Sequence, residues 1–191
     1  MFRQSHMLPA SLLVICSSMI TASQNISLKA DSSRRAEKAL ALINKGNKNH
    51  IDTKHQNQSD WYLEARDLLQ PGDDRTVQAQ ALIGLGDTGY TDSFYKESHA
   101  WYLEARELLF GTQDRVFMIQ ALIGLAHAGY TDTRHPLPCL WLFEALDLAG
   151  DRSPSLRSKI LLALKEQPIS IEADVRLAVS NQAAAESTLV N

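Results

Sequence analysis

Apolar residues along this chain recur at helical spacing. Val77, Ala81, Leu82 and Leu85 fall on one face of a helix, and Gly89 stands where a left-handed C-terminal cap belongs. Trp101, Tyr102, Ala105, Leu108 and Leu109 form a broad apolar stripe on a second helix. Asp114, Ser153 before Pro154, and Ser170 after Pro168 are helix starts, since a short oxygen-bearing side chain can accept from the unpaired N–H groups of a first turn. No stretch shows sustained two-residue alternation with β-branched residues, so a sheet has nothing to be built from. The pattern predicts an all-α fold of about eight helices in four hairpins.

The two helices recur as a unit. Residues 61–100 and 101–140 agree at 20 of 40 positions when set one above the other. Ala81-Leu82-Ile83-Gly84-Leu85 returns as Ala121-Leu122-Ile123-Gly124-Leu125, and Gly89-Tyr90-Thr91-Asp92 as Gly129-Tyr130-Thr131-Asp132. A third copy starts at Trp141 and shortens towards Gln167. A partial earlier copy keeps Arg35, Ala41, Leu42, Ile43, Gly46 and Asp52 one period before Arg75, Ala81, Leu82, Ile83, Gly86 and Asp92. Repeats degraded at both ends are the pattern of a capped array. Trp61, Trp101 and Trp141 share one repeat position and read as packing residues, and Ala65, Ala105 and Ala145 are small where helices approach closely. Asp92 and Asp132 read as turn residues.

These residues resemble the tetratricopeptide repeat. Leu85-Gly86, Tyr102 and Ala105 have the spacing of that signature, Leu125-Ala126, Leu142 and Ala145 repeat it, and Tyr62 with Ala65 supply the second helix of the preceding unit. The resemblance covers about residues 35–167. It departs in its period of 40 rather than 34, in Ser98 and Pro138 at the mid-helix Ala, and in Tyr90, displaced by one. The HEAT repeat, with a period of about 40–47, is the rival. The resemblance implies a right-handed α-solenoid of about four helix-turn-helix repeats, with the first helix of each unit lining a concave face. By position that face holds Gln80, Ile83, Asp87 and Tyr90 in one repeat and Gln120, Ile123, His127 and Tyr130 in the next. Such a mixed aromatic, amide and aliphatic surface suits an extended peptide or a helix of a partner protein. The Lys, Arg and Asn clamp that some relatives use for C-terminal carboxylates is missing, so acidic tails are not the expected ligand.

The N-terminal segment changes the expected address. Residues 1–22 contain no acid; Arg3 lies in a polar opening, Leu8 to Ile20 is apolar or small, and Ile20 with Ala22 offers a processing site. That order is that of a signal peptide, and about 13 apolar residues are too few to span a bilayer as a helix. The organisation read from the chain is a signal peptide over 1–22, a linker over 23–32, the repeat domain over 33–184 and a flexible tail over 185–191. The expected location is periplasmic or secreted, with a membrane tether through an uncleaved or lipidated N-terminus as the alternative. Cys16 fits a lipoprotein site poorly because a small residue belongs where Ile15 stands. Removal of the leader leaves Cys139, expected to be a buried thiol.

Charge and chemistry narrow the function class. The chain of 191 residues carries a net charge of −3, which is not the balance of a nucleic-acid electrolyte. Seven basic and three acidic residues in 29–55 make that end cationic, and the remainder to 191 carries a balance of −8. No two histidines lie at i, i+4 beside a Glu, no Gly-rich phosphate loop follows a strand, and no Gly-x-Ser-x-Gly turn presents a nucleophile. The sequence predicts no enzyme, no metal and no cofactor. What it predicts is an exported interaction scaffold for a protein or peptide, with a self-assembling structural subunit or a non-catalytic regulator or effector as alternatives. A homo-oligomer stays open.

Overall fold

A computed structural model of the chain describes residues 10–91, 98–150 and 153–166. Seven helices follow one another: α1 (Ala10–Asn47), α2 (Gln58–Leu68), α3 (Arg75–Asp87), α4 (His99–Leu109), α5 (Arg115–His127), α6 (Pro138–Ala149) and α7 (Pro154–Glu166). No strand occurs among the described residues, and the fold is all-α. Residues 23–32 run within α1. Asp92, the helix start at Ser170 and the tail over 185–191 lie outside the described residues. No described helix is long and apolar enough to cross a membrane.

The helices lie in two rows. α1, α3, α5 and α7 pack successively on one another, and α2, α4 and α6 each pack between consecutive members of that row. The core between the rows holds Ala81, Leu82, Leu85, Leu122 and Leu125 from α3 and α5, with Ala65, Ala105 and Ala145 facing them without any exposed surface. Trp61, Trp101 and Trp141 are at most 1% exposed, and Cys139 is equally buried.

Helices α1, α3 and α5 share one ending. Gly89 and Gly129 take φ of 65° and 67°, and Asn49 takes 51°, a left-handed turn that a Cβ makes costly. The chain then bonds back on itself. Gly89 N–H donates to the Gly86 carbonyl at 2.9 Å and Tyr90 N–H to that of Leu85 at 3.1 Å; Gly129 and Tyr130 do the same to Ala126 and Leu125, and Asn49 and His50 to Gly46 and Lys45. The carbonyl of the residue after the cap is left for the next helix. Trp101 Nε1–H donates to Tyr90 O and Trp141 Nε1–H to Tyr130 O, both at 2.8 Å, and Trp61 Nε1–H bonds to His50 O. A buried indole needs such a partner. A cation lies over each ring: Lys45 on Trp61, Arg66 on Trp101 and Arg106 on Trp141.

Two hairpin loops carry a further clasp. Asp52 and Asp132 each accept at Oδ1 from the N–H of the histidine three residues on, and each donates its own N–H to that histidine's carbonyl. The His55 ring stacks on Trp61 at 3.4 Å between centroids, and the His135 ring on Trp141 at 3.6 Å. His55 places Nδ1 3.1 Å from Asp52 and Nε2 2.8 Å from Glu64. His135 keeps the second contact, 2.8 Å to Glu144, but its Nδ1 is 3.6 Å from Asp132, and burial pushes its pKa down.

Adjacent odd helices are spaced by a tyrosine ring. Tyr62 lies against Gly46 of α1 and Gly84 of α3, and Tyr102 against Gly86 of α3 and Gly124 of α5. A Cβ at any of these four glycines would sit less than 3.0 Å from the ring, so no larger residue fits without displacing it. The corresponding residues one repeat later are Ala126, Leu142 and Ala163. Where the helix residue gains a methyl group, the ring gives way to leucine.

Arg35 ties α1 to the loop before α3. Its Nε and terminal nitrogen donate to the two oxygens of buried Asp73 at 2.8 and 2.7 Å, and the Gln70 N–H adds a third bond at 2.9 Å. These bonds, Arg35 first, hold the Asp73 carboxyl far below the usual carboxylate range.

Two predictions follow from this packing. Gly124→Ala is expected to destabilise the chain by about 1–3 kcal/mol through overpacking, although helix propensity alone favours alanine by about 1 kcal/mol. The double variant Gly124→Ala/Tyr102→Leu is expected to be more stable than either single one in urea unfolding; a strictly additive loss would refute the socket. For Asp73, a folded pKa below the unfolded one means its contribution is complete above about 3.9 and lost as pH falls below that value. Wild-type stability should therefore drop more steeply between about pH 5 and 2 than that of Asp73→Asn. Parallel slopes for the two proteins would argue against the pairing.

Candidate partner-binding groove

The first-row helices present one stripe each, and side by side these make a groove of about 750 Å³. On α3 the stripe is Gln80, Ile83 and Asp87, at i, i+3 and i+7 of a helix. On α5 it is Gln120, Ile123 and His127, and the flanking helices add Ile43 and Asn47 from α1 and Lys159 from α7. Three rows therefore cross the helices: Gln80, Gln120 and Lys159 on one flank, Ile43, Ile83 and Ile123 along the floor, and Asn47, Asp87 and His127 on the other flank. Leu162, 58% exposed, stands in the isoleucine row's position on α7. Phe117 and Gln58 complete the walls.

The tyrosine spacers reach the groove through the gaps that glycine leaves. Tyr62 hydroxyl donates to Asn47 Oδ1 at 2.7 Å, and Tyr102 hydroxyl to Asp87 Oδ1 at 2.8 Å. Each bond fixes a flank residue from below. Asp87 is open to water yet walled by protein, and the lost hydration pushes its carboxyl above the usual range. The Tyr102 bond and the nearby His127 oppose that rise. Burial pushes the Tyr102 phenol strongly up, and the Asp87 charge adds to this, so the hydroxyl stays a donor.

Six of the eight residues expected on this face, Gln80, Ile83, Asp87, Gln120, Ile123 and His127, line the groove together. Tyr90 and Tyr130 do not join them. Both follow the left-handed caps, and their rings pack near Trp101 and Trp141 at 6.2 and 6.1 Å between centroids. The sequence reading missed Tyr62 and Tyr102, which belong to second-row helices, and Asn47 and Lys159. Asn47 precedes Asp87 by one 40-residue period, which would have exposed it. The clasps were readable as Asp-Thr-Lys-His and Asp-Thr-Arg-His, two periods apart. No group of three or more metal-ligating side chains occurs among the described residues.

The Tyr102–Asp87 bond carries its own test. Because the hydroxyl favours the ionised carboxylate, Tyr102→Phe is expected to move the Asp87 pKa further up. Titration of the Asp87 carboxyl carbon by NMR would read this directly, and an unchanged or lower pKa would show that the bond does not form in solution.

Comparison with protein-family models, with curated proteins and with solved structures finds no match to this chain.

Proposed function

We propose that this chain is an exported, tetratricopeptide-like helical-repeat scaffold without catalysis of its own, and that it holds a peptide or a segment of a partner protein in the groove. The observation that carries the reading is the single groove that gathers Gln80, Ile83, Asp87, Gln120, Ile123 and His127 from consecutive repeats. Its floor is apolar and its rims are amides and charges. Such a surface can bury an apolar side chain while pairing the backbone of a guest. The succession of first-row helices, each packed on the one before, supports the solenoid reading. The right hand of that solenoid belongs to the same proposal.

A second reading rests on α7. Leu161 and Leu162 are 42% and 58% exposed there, whereas their counterparts Leu122 and Ile123 on α5 are better covered. That edge fits a self-assembling subunit stacked on a second copy.

A photo-crosslinking amino acid at Gln120, compared with one at Glu107, exposed on the second-row helix α4, separates the two. Cross-links to a different protein from Gln120 alone are expected. Cross-links to the chain itself would favour self-assembly, and equal capture from both positions would remove the groove from the function.

A further inference from the structure

Among the described residues that line the groove, Asp87 is the one carboxylate. Asp87 makes no ion pair among the described residues; its one hydrogen-bond partner is the Tyr102 hydroxyl on Oδ1. His127 is the titratable group that faces it, and Lys159 stands on α7, two first-row helices away. Some carboxylates elsewhere have a cation, Asp73 with Arg35, Glu64 with Lys54 and Asp67 with Arg66, and others such as Asp60 and Asp74 are held by backbone N–H groups; Asp87 has neither. A partly desolvated carboxylate, held in one orientation and unpaired, gains most from a guest that brings the missing charge.

The spacing of the helices sets where that charge sits on the guest. Packed helices lie about 8–10 Å apart. An extended strand advances about 3.3 Å per residue, so one helix step is about three residues. One helix step from Asp87 and one turn back along α5 from His127 stands Ile123, only partly buried. We infer that the groove selects an extended peptide segment carrying a lysine or arginine three residues from a large apolar side chain, the cation seated on Asp87 and the apolar group against Ile123. Gln80 and Gln120 flank its path and can bond its main chain. This rests on the groove reading above and adds the chemistry of the guest.

The test is selection from a displayed library of random 12-residue peptides on the full-length chain. It is run in parallel on Asp87→Asn and on the triple variant Gln80→Ala/Gln120→Ala/Ile123→Glu, each first shown to be as helical as wild type. Wild type is expected to enrich peptides with a basic residue three positions from an apolar one. The best synthetic peptide should lose about tenfold in affinity on Asp87→Asn, or about 1.4 kcal/mol, and largely recover with Asp87→Glu. Enriched peptides that lack the basic residue, or bind Asp87→Asn equally well, would overturn the inference and leave the groove standing. Peptides that bind the triple variant as well as wild type, or no enrichment over it, would overturn the groove reading itself.

Discussion

Each pair of helices hangs on one hydrogen bond, from the tryptophan of a second-row helix to the carbonyl that follows a left-handed cap. The cap consumes the N–H groups of its last two residues within the helix it ends, which leaves the next carbonyl turned outward. The tryptophan of the following helix takes that carbonyl and buries its whole ring in doing so. The angle at which α2, α4 and α6 return is thereby fixed by the end of the helix before them. Loss of the N–H would leave a buried carbonyl unpaired, at a cost of about 1–3 kcal/mol. The stacked histidines and overlying cations then hold the ring from the side.

The groove inherits its regularity from that arrangement. Similar returns set similar helices side by side, so residues one period apart fall into rows. Chemical variety enters along the rows: the flank that begins as Asn47 continues as Asp87 and His127. A uniform frame thus carries a non-uniform surface, in which Asp87 is the one carboxylate among the described residues that line the groove.

How much of this was legible in the sequence depends on the kind of position. Helices, the left-handed ending at Gly89 and the tryptophan and alanine packing were legible, because periodicity and glycine act locally, whereas Asp114 begins α5 without a side-chain cap bond and accepts from the Thr76 hydroxyl instead. Six groove residues were legible because they share first-row helices at helical spacing. Tyr90 and Tyr130 were placed on that face by the tetratricopeptide resemblance, but the left-handed residue before each turns the chain away towards the tryptophans. Tyr62 and Tyr102 were hidden for the converse reason. They reach the groove from the far row only because two glycines on different helices make room, a relation across 16 to 22 residues that no local pattern displays.

The tyrosine socket also bears on how such an array can lengthen. Each ring touches a glycine of its own repeat and a glycine of the next, so the α3–α4 unit carries half of two sockets, Gly84 for Tyr62 and Gly86 with Tyr102 for the other. Copying the unit with Gly84, Gly86 and Tyr102 in tandem would match half to half, and the new ring would find both its glycines. Copying the unit with Gly124, Ala126 and Leu142 would set a leucine against a glycine and leave a void where the ring had been. The α3–α4 unit is therefore complementary to a copy of itself, whereas the α5–α6 unit, with leucine for the ring, fits the alanine Ala163 of α7 and not its own Gly124.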